Sequence, residues 1–567
     1  MPQIIITWFL FTAICLLLGR RLELLIIRFM PEKQPSSLWL LYWTGMSVLY
    51  ILLSFITFFF PLSPLVKSVV WIAALGYGLA SKDIVPSLYK RIKVRLKNTG
   101  LAAGSLFILT AGIGLLKAAG VPEIFDEGAY HLPLIRMWEG RGIIPGYANL
   151  NAHYGLHSGW HLLSAFSNLS FLPGFVSEMS LNGLLAAITG LFAASRLRML
   201  LKGETRISAF IAILLPFFLF RNLLSSPSTD VPAIIGLWFF FILWLEKIEK
   251  KQEMQKTPEL MLLLPVFLVV LKASSAGILL VVLFFLISGF QNKKLPFIPL
   301  LAAILCGGIW VLQNWLISGY AFFPLSFSAI GHPEWQVPAE SIQKKFYLEQ
   351  FGAFAPPANY SFSWLRTWFG AHNPDTRIVL LLSAFFFLLF PLLLWLRKKK
   401  PEFSSGIIPF TVILFLLSSV WFFTITEPRY GFGSLIISAL FPLAYGYKKL
   451  AERHARARWI LLAMLPLMAL NLMKTYGEFS GKDAWLQPSG VPEVQYRKLR
   501  CGNFSAACPE KYSSPVPEGK PVFCWDCPLP CFPKEGISDS AFVFRKKIAW
   551  FTTYNYQNPF LQKKQNP

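Results

Sequence analysis

The sequence predicts an all-α integral membrane protein, built as a polytopic transmembrane helical bundle. Of its 567 residues 55% are hydrophobic and only 14% are charged, whereas a soluble chain of this length would expose far more charge. Apolar stretches long enough to cross a bilayer recur almost to the C-terminus. These stretches are continuous and rich in Leu, Phe and Ile rather than alternating, so they predict helices and not a β-barrel.

Hydropathy places about fourteen spans along the chain, with boundaries good to a few residues. In order they cover 3–18, 37–60, 65–81, 99–119, 174–195, 207–222, 230–246, 257–271, 274–290, 296–318, 377–396, 406–424, 430–447 and 459–474. No basic segment precedes the first span, and Arg20, Arg21 and Arg28 follow it. It is therefore predicted to be a retained helix and not a cleaved signal peptide.

The net charge of +24 reflects membrane topology and not nucleic-acid binding. With the N-terminus outside, the cytoplasmic loops hold about 29 Lys and Arg, and the opposite loops before the tail hold about 7. The positive-inside rule therefore predicts that both termini lie on the non-cytoplasmic side. Attraction to anionic membrane lipids is a secondary effect of the same charges.

The pattern divides the chain into three regions. Residues 1–98 form extra N-terminal spans, 99–474 form the main transmembrane region, and 475–567 form a non-cytoplasmic tail. Two long outer loops, 120–173 and 319–376, interrupt the main region on one side of the membrane. Because long loops in compact proteins are commonly functional, the outer face is the predicted site of function. The aromatic residues of the second loop fit either stacking on sugar rings or an interfacial belt.

An acidic pair, Asp126 and Glu127, opens the first outer loop directly after a span. Carboxylates at this depth could act as a general base or hold a divalent cation through oxygen ligands. A solvated acidic turn or a helix N-cap is the alternative. An amphipathic helix is predicted over 128–140, and a second short helix over 156–169 follows a Gly- and Pro-rich turn.

Histidines follow the acidic pair. His153, His157 and His161 recur every four residues, and His131 is near in sequence. If they share one helix face they could bind zinc, hydrogen-bond a substrate or pack at the interface. There is no His-Glu-x-x-His motif, and no resident metal site is predicted.

Several cations lie at the outer ends of predicted spans. Arg136 could bind a phosphate or anchor its helix at the headgroups. Lys272, where an outward-going span ends, and Arg221 could likewise bind phosphate or extend to the interface.

Cysteines separate into two groups. Cys15 and Cys306 lie inside spans and are expected to pack there. The other five crowd into the tail, where the oxidising compartment favours disulfides, although a metal site or a redox pair is also open. These five are Cys501, Cys508, Cys524, Cys527 and Cys531.

An acidic pair after an outward-going helix, two juxtamembrane helices and a following bundle resemble the GT-C superfamily of membrane glycosyltransferases. In that superfamily the acidic pair supplies the catalytic base and sometimes binds metal. The resemblance covers roughly 99–474 and assigns the base to Asp126, with Glu127 as its neighbour. Three extra spans precede the one that leads into the acidic loop here, whereas the superfamily usually has only that one.

Two further segments carry this resemblance. Glu427-Pro-Arg429-Tyr430 is similar to the Pro-Arg-Tyr segment of aminoarabinose-transferase-like members, whose arginine lies near the donor phosphate. Ser226-Pro-Ser-Thr-Asp230 resembles an outer loop opening with an acidic residue. The Gly-Ile-Ile-Pro-Gly turn and the His-Ser-Gly-Trp-His segment resemble a poorly characterised bacterial branch.

The resemblance implies a glycosyltransferase in the bacterial inner (plasma) membrane. It would move a sugar, with inversion, from a polyprenyl-phosphate donor to a glycan, lipid or protein acceptor of the cell envelope. No cofactor is required, and a divalent cation is possible. A polysaccharide polymerase or ligase, and a lipid-linked-saccharide transporter without catalytic activity, are the alternatives. The candidate substrate-binding residues are His131, Arg136, His157, His161, Arg221, Asp230, Lys272, Arg429 and Tyr430.

Overall fold

The computed structural model describes most of the chain up to residue 478 and part of the tail. The described residues are 1–31, 35–97, 100–120, 126–176, 179–253, 256–291, 296–343, 346, 362–396, 406–424, 426–478, 494–501, 504–512 and 531.

The described residues are mostly helical, as the sequence predicts. The first seven α-helices, α1 to α7, are Pro2–Phe29, Leu38–Thr57, Pro64–Ala80, Ile84–Lys97, Leu101–Ala119, Leu132–Gly140 and Gly159–Ser167. The next seven, α8 to α14, are Leu181–Leu201, Ile207–Leu214, Asp230–Glu249, Pro258–Met261, Leu263–Leu271, Leu279–Gln291 and Phe297–Ser318. The last six, α15 to α20, are Ala339–Ile342, Phe362–Ala371, Pro374–Leu396, Ile407–Thr424, Pro428–Arg453 and Met464–Glu478.

Eight helical segments of the described chain are long and apolar enough to cross a membrane. They are Pro2–Phe29, Leu38–Thr57, Leu101–Ala119, Leu181–Leu201, Asp230–Glu249, Phe297–Ser318, Ile407–Thr424 and Ala455–Glu478. Each of the fourteen predicted spans overlaps a helix, but several of those helices are shorter or less apolar. The helical character of the chain is thus confirmed, the eight segments are consistent with a multi-pass membrane protein, and the count of fourteen stays a prediction.

Close helix crossings are made by glycines. Gly19 of α1 and Gly45 of α2 face each other, and a Cβ added to Gly45 would lie 1.6 Å from the Cys15 carbonyl oxygen. Gly114 of α5 and Gly183 of α8 make a similar crossing, where an added Cβ would lie 2.6 Å from the opposite backbone oxygen. Small residues allow such backbone approach, which van der Waals contact then stabilises inside a membrane.

Helix α4 was not among the predicted spans, and buried charge attaches it to the bundle. Glu23 on α1 is 2% exposed and forms ion pairs with Arg20 and with Arg91 of α4. The Arg91 guanidinium also donates to the Ser36 carbonyl, 3.1 Å away. A carboxylate this buried is stable only with such partners, so α4 is held against the ends of α1 and α2.

The tail contains the antiparallel strands β1, Val494–Cys501, and β2, Phe504–Tyr512, which an all-α prediction did not include. The register places Cys508 opposite Arg497, four residues from Cys501, roughly 13 Å along the strand. Cys531 is buried and disulfide-bonded, but no partner side chain is among those described. Cys524 and Cys527 lie outside the described residues, so the predicted pairing stays untested.

Membrane sidedness can be tested by labelling. Lys90 on α4 and Glu340 on α15 are exposed and lie on opposite predicted sides. A membrane-impermeant maleimide should label Glu340→Cys in intact cells and should label Lys90→Cys only after permeabilisation. Labelling of Lys90→Cys in sealed cells would show that the orientation is opposite to the predicted one.

Candidate functional site

The first outer loop begins with a widened helical turn. Residues Glu127–His131 form one π-helical turn that continues into α6. Pro133 has no N–H to donate to the Ala129 carbonyl, and the Asn151 side chain donates to that carbonyl instead, at 3.5 Å. Turns of this type are rare and are often found at functional sites.

The two members of the acidic pair occupy different environments. Asp126 precedes the turn and is partly exposed, whereas Glu127 is 0% exposed. Neither carboxylate oxygen of Glu127 has a hydrogen-bond partner of ordinary geometry. Burial raises the pKa of Glu127 well above its usual range, and the nearby Ser226 hydroxyl offsets only part of this effect. Glu127 is therefore suited to hold a proton, and Asp126 is the pair's accessible member.

Glu127→Gln should change the pH dependence of stability. Because folding raises this pKa, the wild-type protein loses stability as pH rises above about 4.3, the usual Glu value, toward the folded value. The variant has no carboxyl to ionise at this position and so has no such loss. Its free energy of unfolding, relative to that of the wild type, should therefore rise by about 1.4 kcal/mol per pH unit across that window. Thermal unfolding in detergent at pH 5 and pH 8 measures this difference. The exposed Glu340→Gln is the matched control, and an equal effect of Glu127→Gln at both pH values would contradict the assignment.

Charged residues from distant parts of the chain converge beside this loop. We call Asp126, Asp230, Lys272, Arg429 and Tyr430 the outer ionic cluster, after the side of the membrane on which the sequence predicts them to lie. Lys272 forms an ion pair with Asp230, and the Arg429 guanidinium lies 3.9 Å from the other Asp230 oxygen. The Lys272 ammonium lies 4.2 Å from the centre of the Tyr430 ring, and Arg429 donates to the Tyr430 hydroxyl at 3.1 Å. Asp126 is close enough to Lys272 and Arg429 for its charge to act on both.

Helix ends explain this convergence. Asp230 begins α10, where a negative charge is favoured by the helix dipole. Lys272 directly follows α12 in extended conformation, and Arg429 lies in the first turn of α19. The three ends meet at one end of the bundle, which we call the site end.

Helix α7 is fastened to the site end by its N-cap. The Ser158 hydroxyl donates to the Leu271 carbonyl at 2.5 Å, which satisfies a carbonyl at the end of α12. A Cβ on Gly159 would lie 2.7 Å from Val270 and 2.9 Å from the Tyr50 ring. The glycine of the His-Ser-Gly-Trp-His segment thus permits close packing of α7 against α12 and α2.

His161 and His131 form a hydrogen-bonded pair at the site end. The Ser158 backbone amide donates to His161 Nδ1 at 3.2 Å, so the proton of the neutral ring is on Nε2. His161 Nε2 then donates to His131 Nδ1 at 2.8 Å, which leaves His131 Nε2–H as a donor. Burial lowers the pKa of His161 to about 3, with a further effect of His157. Burial, then His161, Lys272 and Arg429, lower the pKa of His131 well below its usual value. Both rings are therefore neutral at physiological pH.

Both ring nitrogens of His157 face side chains of the protein itself. Its Nδ1 and Nε2 lie 3.1 Å and 3.3 Å from the side-chain oxygens of Asn314 and Gln313 on α14. The Tyr50 hydroxyl also donates to the Gln313 oxygen, at 2.9 Å. Burial lowers the pKa of His157 to about 4, although the two amides favour the charged form. His157 thus joins the loop to α14 and α2.

The helix predicted over 156–169 is present but shorter at both ends. Helix α7 spans Gly159–Ser167, His153 lies in a separate 3-10 turn, and His157 lies between them. His153, His157 and His161 therefore do not share one helix face. The close packing at the two intervening glycines separates them.

Two predicted phosphate ligands pair with acids elsewhere. Arg136 donates to Glu139 at 2.9 Å, and Lys67 of α3 reaches the same carboxylate at 3.0 Å. Arg221 lies 3.9 Å from Glu478, which is also paired with Lys117. Neither arginine is in the outer ionic cluster.

The two outer loops contact each other. Gly146, in the Gly-Ile-Ile-Pro-Gly turn, has φ +70°, and a Cβ there would lie 2.8 Å from Trp335 Cβ. The Asn149 amide donates to the Trp335 carbonyl at 2.8 Å. The described parts of loops 120–173 and 319–376 thus pack as one unit.

Within the described residues, no group of three His, Cys, Asp or Glu side chains is arranged to hold a metal ion.

A family model described as a domain of unknown function, DUF8201, matches residues 1–436. The chain belongs to the DUF8201 family. No curated protein and no solved structure matches the chain. The DUF8201 match includes every residue of the outer ionic cluster and ends before the cysteine-containing tail.

Several residues that support the site were not predicted. Asn182 in α8 is fully buried and donates to the carbonyls of Leu223, Ser226 and Ser228, at 3.1, 2.5 and 3.0 Å. It thereby holds the segment that ends at Asp230. An amide in an otherwise apolar span was the available signal, because polar groups there need partners. The pairing of Lys67 with Glu139 left no local signal in the sequence.

Proposed function

We propose that this DUF8201 protein is an inverting glycosyltransferase that takes its sugar from a polyprenyl-phosphate donor. The observation that carries the proposal is the outer ionic cluster, in which an accessible carboxylate and two cations come together from separate chain segments. Glycosyl transfer from a lipid phosphate needs a base for the acceptor and fixed positive charge for the leaving phosphate.

The donor phosphate would bind beside Lys272 and Arg429. Asp230 pairs with Lys272 and lies near Arg429, so it positions both cations before the donor arrives. As the bond to the sugar breaks, charge builds up on the phosphate, and cations already in place stabilise it. A lipid carrier could approach sideways from the bilayer because these residues lie at the ends of apolar helices.

The acceptor would be activated by Asp126. An acceptor hydroxyl gives its proton to the Asp126 carboxylate while its oxygen forms a bond to the anomeric carbon. The bond from that carbon to the phosphate oxygen breaks, and the phosphate leaves with the electron pair. Attack opposite the leaving group inverts the anomeric centre without a covalent enzyme intermediate.

Glu127 and the histidine pair would support this centre. Glu127 is suited to remain protonated behind Asp126, so the second carboxyl adds no charge that repels the donor. His131 and His161 are neutral and hydrogen-bonded, which fixes the wall of the site without a third cation. The acidic pair would then have one base and one neutral partner.

A divalent cation and a transport role are alternatives. A divalent cation bound at Asp126 would supply part of the positive charge that otherwise comes from Lys272 and Arg429. A chelator would then abolish activity. A lipid-linked-saccharide transporter could use the same two cations without a base. A polymerase or ligase would differ in its acceptor.

The proposal is tested with purified protein in lipid nanodiscs. Polyprenyl-phosphate donors carrying a radiolabelled sugar are mixed with cell-envelope glycan, lipid and protein fractions. We expect label to move to one fraction with release of polyprenyl phosphate, both with and without a chelator. Donor binding without product in any fraction would favour transport, and absence of donor binding would contradict both functions.

A further inference from the structure

Two adjoining cavities lie at the end of the bundle opposite the outer ionic cluster. One, of about 550 Å³, lies among α1, α2, α4, α8 and α10. The other, of about 390 Å³, lies among α2, α10 and α11. Ser37, Glu246 and Lys250 line both. Asp230 and Lys250 lie at the two ends of α10, about 30 Å apart, which is the thickness of a bilayer core.

The larger cavity has a basic mouth and an apolar interior. Arg198 and Lys250 line it at the ends of α8 and α10, the side that we call its mouth, while Leu16, Ile188 and Leu191 line it nearer the middle of α1 and α8. From Arg198 to Ile188 the cavity follows α8 for ten residues, about 15 Å. Its size is that of an ordinary small-ligand pocket, and its length suits an extended hydrocarbon chain.

The charges at the mouth are not balanced. Glu246 is the acidic residue that lines this cavity, and it forms an ion pair with Arg196 at 2.5 Å. Arg198 and Lys250 have no acidic partner in the part of the chain that the structure describes. Two uncompensated cations over an apolar channel are complementary to an anionic headgroup that bears an acyl chain.

We propose that this cavity binds one anionic phospholipid of the adjacent leaflet. An acyl chain lies between α1, α4 and α8, and the phosphate lies between Arg198 and Lys250. The predicted orientation places this end on the cytoplasmic side, where basic pockets between helices recognise anionic headgroups. The bound lipid joins the amphipathic α4 to the transmembrane bundle. This site is separate from the proposed donor site and does not depend on it.

The test is lipid binding by native mass spectrometry of the full chain in detergent. We expect phosphatidylglycerol to bind with a lower Kd than phosphatidylcholine of the same acyl length. The double variant Arg198→Gln, Lys250→Gln should weaken phosphatidylglycerol binding about 30-fold, from roughly 1 kcal/mol per cation. Lys202→Gln, one turn beyond Arg198 and outside the cavity lining, is the matched control and should bind like wild type.

A second variant tests the apolar channel. Leu191→Trp adds volume inside the cavity and should reduce phosphatidylglycerol binding while leaving the basic mouth intact. Equal binding of the two lipids, or binding unaffected by the double variant, would overturn the proposal. Equal competition by glycerol phosphate would also overturn it, because a headgroup site alone needs no acyl channel. An unfolding temperature equal to that of the wild type shows that a variant is folded, so that its weaker lipid binding is not caused by misfolding.

Discussion

Asp126→Asn is expected to slow sugar transfer by roughly 10²- to 10⁴-fold with little change in donor affinity. Asparagine keeps the size and much of the hydrogen bonding of aspartate but cannot take a proton at neutral pH. In the proposed function Lys272 and Arg429 would bind the donor phosphate, so the substitution of Asp126 should change the free energy of donor binding little. Single-turnover rates at saturating donor, with a separate donor Kd, measure the two effects independently.

The matched control for this variant is Asp375→Asn. Asp375 also lies in the first turn of a helix, α17, on the predicted outer side, but it is exposed and lies outside the cluster. It should transfer sugar at the wild-type rate. Glu127→Gln should give a milder loss than Asp126→Asn, because a protonated carboxyl and an amide are both neutral. An equal loss would instead indicate that the two carboxylates share a metal ion or a proton.

Arg429→Ala is expected to lower kcat/KM by roughly 10²- to 10³-fold, by weakening donor binding as well as the chemical step. Its guanidinium would meet the phosphate before and during transfer, so both Kd and rate should change. Lysine is a poor substitute for a bidentate arginine, so Arg429→Lys should recover only part of the loss. Measured Kd and single-turnover rate separate the two contributions.

The matched control for Arg429 is Arg377→Ala. Arg377 is a partly buried arginine in the first turn of α17, outside the outer ionic cluster. Its loss should leave donor affinity unchanged. An unchanged donor Kd in Arg429→Ala would contradict the assignment of the phosphate to this arginine.

Hydropathy predicted the positions of the helices well. The end of α12 before Lys272 and the start of α10 at Asp230 lie within a residue of the predicted span limits. Such limits are readable because a change from apolar to charged residues marks where the bilayer core ends. Helix α4 was missed because basic residues interrupt its apolar ones. The sequence there has no continuous apolar stretch that would mark a membrane span.

The local conformation of the histidine segment could not be predicted from its spacing. A repeat of four residues indicates one helix face, yet contacts of Gly155 with Phe323 and of Gly159 with Tyr50 divide the segment. Those contacts involve residues more than 100 positions away, which no local pattern encodes. The ion-pair partner of each cation could not be predicted either. In the sequence Arg136, Arg221 and Lys272 were all candidate phosphate ligands near the ends of predicted spans. In the fold Arg136 and Arg221 pair with glutamates, and Lys272 pairs with Asp230.

The most direct measurement is a cryo-EM structure of the protein in nanodiscs with a polyprenyl-phosphate sugar bound. The proposed function predicts the donor phosphate within ion-pair distance of Lys272 and Arg429, and the anomeric carbon facing Asp126. The carrier chain should leave the site between helices toward the bilayer. A phosphate bound away from both cations, or a sugar that Asp126 cannot approach, would contradict the proposed transfer.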